Sequence, residues 1–364
     1  MVSSLRMKVF VGMSGGVDSS VSAALLKEAG HDVTGVFIKT WHPDFLECTW
    51  REEREDAMRV AAELQIPFLT CDLEEVYKRE VADYMIREYA KGRTPNPDVM
   101  CNQHVKFGAF FAWAREQGAE KIATGHYARV DESVDDSGAT VFTLRTGIDE
   151  TKDQSYFLWT LTQEVLAHVL FPVGSMKKTD VREYAMRLGL SVAQKKDSQG
   201  VCFLGHVDMK EFLKRFITVT PGDVLDEDQK VIGRHEGALL YTLGERRGFV
   251  ITTKTPHDAP RYVIAKNMEA NTITVSEHPH ESSQGRTQRI TISDVSWTRA
   301  LSDADPLSCR FRYRQPSIPC TLEQKDSQSV VVFKEPVSFA TPGQSLVLYT
   351  GEECLGGGII DSTE

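Results

Sequence analysis

The sequence predicts an α/β protein in which a parallel-sheet domain is followed by a small central domain and a C-terminal β-barrel-like domain. Strand and helix patterns alternate through roughly the first third of the chain, and a Gly-rich turn occupies the first strand–helix junction. From about Pro221 the pattern changes to short alternating runs separated by Gly, Pro and Asp. The first pattern implies a parallel sheet covered on both faces, with ligands at the carboxyl ends of its strands. The second suits a small barrel or sandwich. At roughly 150 residues per domain, 364 residues accommodate two or three such units. The divisions are expected at 1–205, 206–282 and 283–364.

Lys8-Val9-Phe10-Val11 is a short apolar run, and Val17, Val21, Ala24 and Leu25 share one helical face beyond the turn. Val33 to Ile38, Pro67 to Cys71 and Lys121 to Thr124 read as further strands. Helices are expected around Ala57–Leu64, Tyr77–Met85 and Val105–Arg115. Tyr127–Val130 and Val141–Leu144 bracket a polar stretch and read as a hairpin. Helical segments follow near Gln154–His168, Thr179–Leu188 and Asp208–Ile217, before strands such as Arg289–Ile292 and Val330–Phe333.

A net charge of −10, with 41% hydrophobic and 26% charged residues, marks an ordinary globular chain and argues against a disordered tail. No apolar stretch approaches the roughly 18 residues of a membrane span, and the N-terminus lacks a signal peptide's apolar core. A cytoplasmic location is expected. Seven cysteines without a C-x-x-C pair argue against a disulfide scaffold or a zinc ribbon. Cys101 with His104 and Cys202 with His206 also lack the usual zinc-finger spacing, so no metal ligands are assigned.

The turn Gly12-Met13-Ser14-Gly15-Gly16-Val17-Asp18-Ser19 is built to hold phosphate. Its glycines let backbone N–H groups approach an anion, its serines add donors, and a helix N-terminus adds a positive dipole. It has neither the Gly-Lys-Ser/Thr of Walker A nor the spacing of a dinucleotide fingerprint. Ser-Gly-Gly-x-Asp-Ser resembles the PP-loop of ATP pyrophosphatases, and Asp18 would suit a magnesium ion bridging phosphates.

Two cysteines have suggestive settings. Cys101 follows Asn96-Pro97-Asp98 and is expected at or just before the N-terminus of a helix beginning near His104, where the dipole lowers a thiol's pKa. Asp98 is a candidate general acid or base beside it. Cys202 follows a flexible turn, with Lys195 and Lys196 upstream to favour a thiolate. Cys48, Cys71, Cys309, Cys320 and Cys354 read as small buried hydrophobes.

Taken with Arg93-Thr-Pro-Asn-Pro-Asp-Val-Met-Cys101-Asn, Thr124-Gly-His-Tyr127, Lys152-Asp-Gln-Ser-Tyr-Phe157, Asp197-Ser-Gln-Gly-Val-Cys202-Phe and Arg312-Tyr-Arg-Gln315, the turn makes the chain resemble the tRNA-specific 2-thiouridylase family (MnmA/TrmU) over nearly its whole length. The resemblance implies a PP-loop, adenine nucleotide alpha hydrolase-like catalytic domain that uses ATP. Gly12 to Ser19 would bind ATP, with Ile38 and Gly125 lining the nucleotide site. Asn96, Pro97 and Asp98 would meet the wobble uridine, Cys101 would be the nucleophile, and Cys202 would carry a persulfide. His126, Lys152, Asp153, Gln154, Arg312, Tyr313 and Gln344 would contact tRNA, and a second protein would donate sulfur. The family often has Met where this chain has Ile38.

This chemistry agrees with the residues. The 2-oxygen of uracil leaves poorly until AMP is transferred onto it, and a persulfide can outcompete water for the activated carbon. Two routes are open: direct attack by the persulfide, or release of hydrosulfide from it by Cys101, which leaves a disulfide. Lys177-Lys178, Lys195-Lys196, Arg246-Arg247 and Arg310-Phe-Arg-Tyr-Arg314 are candidate phosphate contacts. The alternating Arg310, Arg312 and Arg314 are expected on one face of a strand. A different PP-loop ligase or amidotransferase is the competing enzyme reading, and it would need neither cysteine.

Overall fold

A computed structural model describes residues 6–46, 50–135, 137–197, 202, 208–252, 259–279, 282, 284–302, 305–325 and 328–364. Cys48, Ser198 to Gly200, Phe203, His206 and the expected boundary after residue 205 lie outside them.

The parallel sheet forms as expected. Its strands are β1 (Lys8–Gly12), β2 (Asp32–Lys39), β3 (Phe68–Asp72), β4 (Lys121–Ala123) and, at the edge, β7 (Val169–Leu170). Their order is β3-β2-β1-β4-β7, so the chain reverses its direction of travel across the sheet between β1 and β4. At such a switch point the strand ends diverge into a crevice. Helices α1 (Val17–Glu28) and α2 (Trp50–Glu63) follow β1 and β2. β1 and β2 are apolar because both sheet faces are covered: Val9, Val11 and Phe37 join one core, and Phe10, Val36 and Ile38 the other.

Two longer helices complete this region, each with a π-helical stretch. The first runs α3 (Glu74–Tyr77), Lys78–Ala82 and α4 (Asp83–Ala90). The second runs α5 (Pro97–Met100), Cys101–Ala109 and α6 (Phe110–Glu116). This second helix starts earlier than the apolar period suggested. Asn96 caps it in an extended conformation, accepting the Val99 N–H at 3.4 Å, and Pro97 occupies the first turn, where a missing N–H costs nothing. Cys101 therefore lies inside the helix rather than at its start.

The hairpin β5 (Ala128–Val134) and β6 (Thr140–Thr146) forms with a shorter loop than predicted. The expected helix over Gln154–His168 does not form as one piece. It breaks into a 3₁₀ turn at Ser155–Phe157 and a short α7 (Gln163–Leu166), because buried Asp153 and Ser155 spend their hydrogen bonds on local backbone and neighbouring strands. α8 (Lys178–Arg187) and α9 (Met209–Lys214) lie where helices were expected.

The central sheet comprises β8 (Gly222–Leu225), β9 (Val231–His235), β10 (Phe249–Ile251), β11 (Tyr262–Asn267) and β12 (Thr272–Ser276), in the order β10-β9-β8-β12-β11. The last sheet contains β13 (Arg286–Trp297), β14 (Ser308–Arg310), β15 (Ile318–Pro319), β16 (Thr321–Lys325), β17 (Gln328–Ser338), β18 (Ser345–Thr350) and β19 (Glu353–Thr363). The β5–β6 hairpin joins it through the Glu353–Arg145 pairing. β14 ends at Arg310, and Arg314 has φ +62°, so the three alternating arginines do not share a strand face.

The C-terminal domain is docked tightly on the loop before α5. The Thr94 N–H donates to Pro342 O at 2.9 Å, and Gly343, at φ +95°, would bring a Cβ within 2.9 Å of Thr94 backbone atoms. Gly343→Ala should destabilise the protein by about 1–3 kcal/mol through left-handed strain and this clash. Thermal melting should show the lower transition, and an unchanged melting temperature would rule out the tight approach.

Candidate active site

The predicted phosphate turn lies at the carboxyl end of β1. Gly12 ends the strand, and the N–H of buried Met13 donates to Val36 O at 2.8 Å, holding the turn against β2. Gly15 has φ +70°, and a Cβ there would lie 2.4 Å from Glu53 O, so this bend needs glycine. Gly16 caps α1, Val17 is its first residue, and the Ser14 N–H donates to Ser19 Oγ at 3.2 Å. Ile38 packs its Cδ1 against the Gly12 backbone, 3.7 Å from where a Cβ would lie. Lys39, whose role the sequence left open, pairs with Asp72 at 3.0 Å and Glu74 at 2.6 Å.

Gly125 completes this pocket from the end of β4. A Cβ on it would lie 2.6 Å from Ser19 N and 2.8 Å from Asp18 C, so the backbone after β4 rests directly on the turn. Asp18 accepts from Tyr127 OH at 2.7 Å and from Lys178 Nζ at 2.7 and 2.8 Å. Lys178 also reaches Asp197 at 2.8 Å, and Lys152 and Arg182 meet that same carboxylate at 2.7 Å. Burial opposes a charge on Asp197, but hydrogen bonds from Lys152 and Lys178 outweigh it and hold the carboxyl well below its ordinary range. Three cations thus gather beside the turn, where phosphate oxygens would be bound.

The magnesium expectation fares less well. Both Asp18 oxygens face Lys178, and no group of three or more His, Cys, Asp or Glu side chains suited to a metal occurs among the described residues. The site already contains an ammonium where the ion was expected, and no step below passes through a metal.

The two cysteines converge. Cys101 Sγ and Cys202 Sγ lie 3.5 Å apart. The Cys202 N–H donates to Asp98 Oδ1 at 2.9 Å, and Tyr77 OH donates to Cys202 O at 2.6 Å. Cys101 is fully buried. Burial and the hydrogen bond to Cys202 push its thiol up, whereas Cys202 is lowered by the hydrogen bond from Cys101 and the nearby Lys106 charge. Within the pair Cys101 is the hydrogen-bond donor and Cys202 the acceptor. This corrects two expectations. The helix N-terminus does not activate Cys101, and Lys195 does not activate Cys202, because Lys195 is engaged with Asp56 at 2.7 Å and Gly15 O at 3.1 Å. Burial raises the Asp98 carboxyl, making it a ready proton acceptor.

His126 links the two clusters. It follows Gly125, is buried, and lies with Nδ1 2.7 Å from Thr124 Oγ1 and Nε2 3.5 Å from Lys106 Nζ. Burial and the Lys106 charge lower its pKa well below the ordinary value, so the ring is neutral and accepts from Lys106.

Several of the other predicted RNA contacts form interdomain ties, whereas Gln154 bonds within its own domain. Buried Asp153 pairs with Arg310 at 2.7 Å, and Gln154 accepts the Tyr127 N–H at 3.0 Å. Arg312 donates to Leu243 O and Phe339 O, and the Tyr313 ring lies 4.6 Å from that of Phe157. Gln344 donates to Thr94 O at 2.9 Å and Pro95 O at 3.1 Å, immediately before Asn96-Pro97-Asp98. Arg312 and Gln344 line a cleft of about 330 Å³ with Thr242, Leu243, Gly244, Glu245 and Thr341. A larger cleft of about 420 Å³ lies on the central domain, lined by Arg246, Arg247, Arg261 and Phe249 among others and by none of the thiol-site residues. Sequence reasoning missed Lys106, Tyr77, Arg182 and the part played by Tyr127, although Tyr127 closes a stretch already singled out. Cys71, Cys309 and Cys354 are buried as expected, and burial pushes the Cys71 and Cys354 thiols up to about 12.

A glycine-rich turn at a parallel sheet's switch point, linked through Gly125, His126 and Lys106 to a pair of adjoining thiols, defines an α/β domain of the PP-loop kind. Residues 7–206 match the family model described as the tRNA methyl transferase HUP domain. Residues 210–277 match the tRNA methyl transferase PRC-barrel domain, and 287–360 the aminomethyltransferase beta-barrel domain. The chain is 44% identical to the tRNA-specific 2-thiouridylase MnmA of Streptococcus thermophilus over 366 residues, covering 99% of this chain and 97% of that one. It is 45% identical to the same-named protein of Bacillus velezensis over 360 residues, covering 97% and 95%. Among solved structures it is similar to a 4-thiouridine synthetase in complex with RNA and bound ATP, at 20% identity over 57% of this chain and 50% of that one, with a TM-score of 0.37. The chain belongs to the tRNA-specific 2-thiouridylase family.

The sulfur geometry gives a direct test. Mild oxidation with diamide should join Cys101 to Cys202, detected as a cross-linked peptide in a non-reduced digest and lost in Cys101→Ser and Cys202→Ser. Persistent absence of that peptide in the wild type would show that the thiols do not meet.

Proposed function

We propose that the protein is an ATP-dependent tRNA-uridine 2-sulfurtransferase that adenylates the wobble uridine 2-oxygen and replaces it with sulfur carried on Cys202. The 3.5 Å approach of the Cys101 and Cys202 sulfurs beside the phosphate turn carries this reading. ATP lies in the cradle of Gly12 to Ser19, closed by Gly125 and Ile38. The Lys178, Lys152 and Arg182 cations stabilise the departing pyrophosphate, and any magnesium arrives on the nucleotide's own phosphates. The target base enters at Asn96-Pro97-Asp98.

The uridine oxygen attacks the α-phosphorus and pyrophosphate leaves. The terminal sulfur of the Cys202 persulfide then attacks C2, and AMP departs. Cys101, giving its proton to Asp98, attacks the Cys202 sulfur, releasing 2-thiouridine and leaving a Cys101–Cys202 disulfide for later reduction. The approach of the Cys101 sulfur to that of Cys202, with Asp98 at the Cys202 N–H, supports this order. Attack on the persulfide to release hydrosulfide uses the same two sulfurs.

The roles divide over 1–205 for catalysis and over 206–282 and 283–364 for tRNA binding. His126, Lys152, Asp153, Gln154, Arg312, Tyr313 and Gln344 are the expected RNA-side residues. Several of them tie domains together, so RNA that engages Gln344 also acts on the loop carrying Asn96. Arg246 and Arg247 offer phosphate contacts on the central domain. A persulfide-bearing protein supplies sulfur, and the reaction belongs to the cytoplasm. No helix among the described residues is long and apolar enough to cross a membrane. A PP-loop ligase or amidotransferase would leave the paired sulfurs without a task.

Cys202→Ser should reduce 2-thiouridine in tRNA to background, measured by nucleoside mass spectrometry, while ATP binding stays at the wild-type level. Wild-type 2-thiouridine in that variant would remove Cys202 from the reaction. Lys178→Met should instead weaken ATP binding roughly tenfold or more, as expected for loss of a charge-assisted contact to phosphate. Calorimetric titration with a non-hydrolysable ATP analogue would detect this, and equal affinity would exclude Lys178 from the cradle.

A further inference from the structure

We propose that Lys106 is the positioning residue for sulfur loading: the π-helical turn between it and Cys101 brings its ammonium to the Cys202 sulfur and keeps that sulfur anionic for attack on a donor persulfide. The inference rests on Cys202 being the sulfur carrier.

The argument begins with helix geometry. Lys106 is five residues after Cys101, and in an α-helix that spacing turns a side chain about 140° away from its partner. Residues Cys101–Ala109 are π-helical, with i→i+5 bonding, which returns residue 106 to the side of residue 101 one turn on. A π stretch is less stable than α-helix and needs a local reason to persist. Here it aligns a thiol with an ammonium.

The surroundings fit that purpose. Lys106 hydrogen-bonds the Cys202 sulfur, and its ammonium lies 3.5 Å from the neutral His126 Nε2. Burial works against its charge, yet Cys202, Cys101 and Asp98 together outweigh burial and hold the lysine protonated. Among the described residues, the groups around Cys202 are Cys101 at its sulfur, Asp98 at its N–H and Lys106, all from the helix of residues 97–116, and Tyr77 at its carbonyl from the helix of residues 74–90, while His126, after β4, meets Lys106. Tyr77 meets the Cys202 carbonyl, Asp98 meets its N–H, and His126 is neutral, so the positive charge among these groups comes from Lys106. Cys202 is partly exposed while Cys101 is fully buried, so an incoming donor reaches Cys202 first.

The loading step then balances without an added oxidant. The Cys202 thiolate attacks the outer sulfur of a donor persulfide, forming the Cys202 S–S bond as the donor's S–S bond breaks. The outer sulfur keeps its proton, and the donor leaves as a thiolate. Lys106 stabilises the attacking anion and then the persulfide anion formed when that proton is lost.

The test is the pH dependence of Cys202 alkylation by iodoacetamide in the full-length reduced protein, followed on the Cys202 peptide by mass spectrometry. The wild-type midpoint should lie below the ordinary thiol value of about 8.5. Lys106→Met should raise it by about one unit or more, slowing alkylation near neutral pH roughly tenfold, with a similar loss of persulfide formed from cysteine persulfide. Lys106→Arg should restore most of the shift. A folded Lys106→Met protein with the wild-type midpoint would overturn the proposal. So would a wild-type midpoint at or above that of an ordinary thiol, a measurement that needs no variant to fold. Neither ATP nor tRNA takes part, so an unmoved midpoint in a protein that still thiolates tRNA sinks only this inference. A wild-type midpoint below that of an ordinary thiol, in a protein unable to thiolate tRNA when supplied with ATP and a persulfide donor, sinks the proposed function instead.

Discussion

The close packing of three consecutive residues after β4 carries the arrangement of this protein. Gly125 rests on the backbone of Asp18 and Ser19 with no room for a side chain, while His126, held by the Thr124 hydroxyl, meets Lys106 beside the thiols. β4 is hydrogen-bonded to β1, so the phosphate turn and the sulfurs are referred to the same rigid pair of strands. Elements far apart in sequence are thereby held within reach of one substrate base. Loops alone could not fix such a separation, whereas a sheet with buried faces can.

Charge adds a second link between the two halves of the chemistry. Lys178 touches both Asp18 in the turn and Asp197, five residues before Cys202. Asp197 also holds Lys152 and Arg182, so one carboxylate neutralises cations that nucleotide phosphates would otherwise attract. Phosphate entering the cradle would compete with Asp197 for its partners.

The parallel sheet and phosphate turn were legible because their signals are local: β1 is an apolar run, and the turn's glycines sit where backbone must bend or approach closely. The Cys101 setting was only partly legible. Asn96-Pro97 is a good cap and first-turn pair, but the apolar period begins later and drew the expected helix start with it. The π stretch has no period that a reading based on 3.6 residues per turn would reveal, and so Lys106 stayed hidden. The arginines at 310, 312 and 314 alternate like a strand, yet tertiary partners at Asp153, Leu243 and Phe339 take Arg310 and Arg312 in different directions. The broken segment after Asp153 failed for a similar reason, since buried polar side chains found better partners outside a helix.

The β5–β6 hairpin, drawn from the first half of the chain, is completed by Glu353 opposite Arg145. A two-stranded ribbon is marginal by itself, so this one has its lasting partner only once residues 353–363, more than 200 positions later, have been made. The nucleotide-binding half therefore cannot finish maturing as a bead on a string. Its assembly waits for β19, and a chain without that strand carries an unpaired edge at β6 open to mispairing.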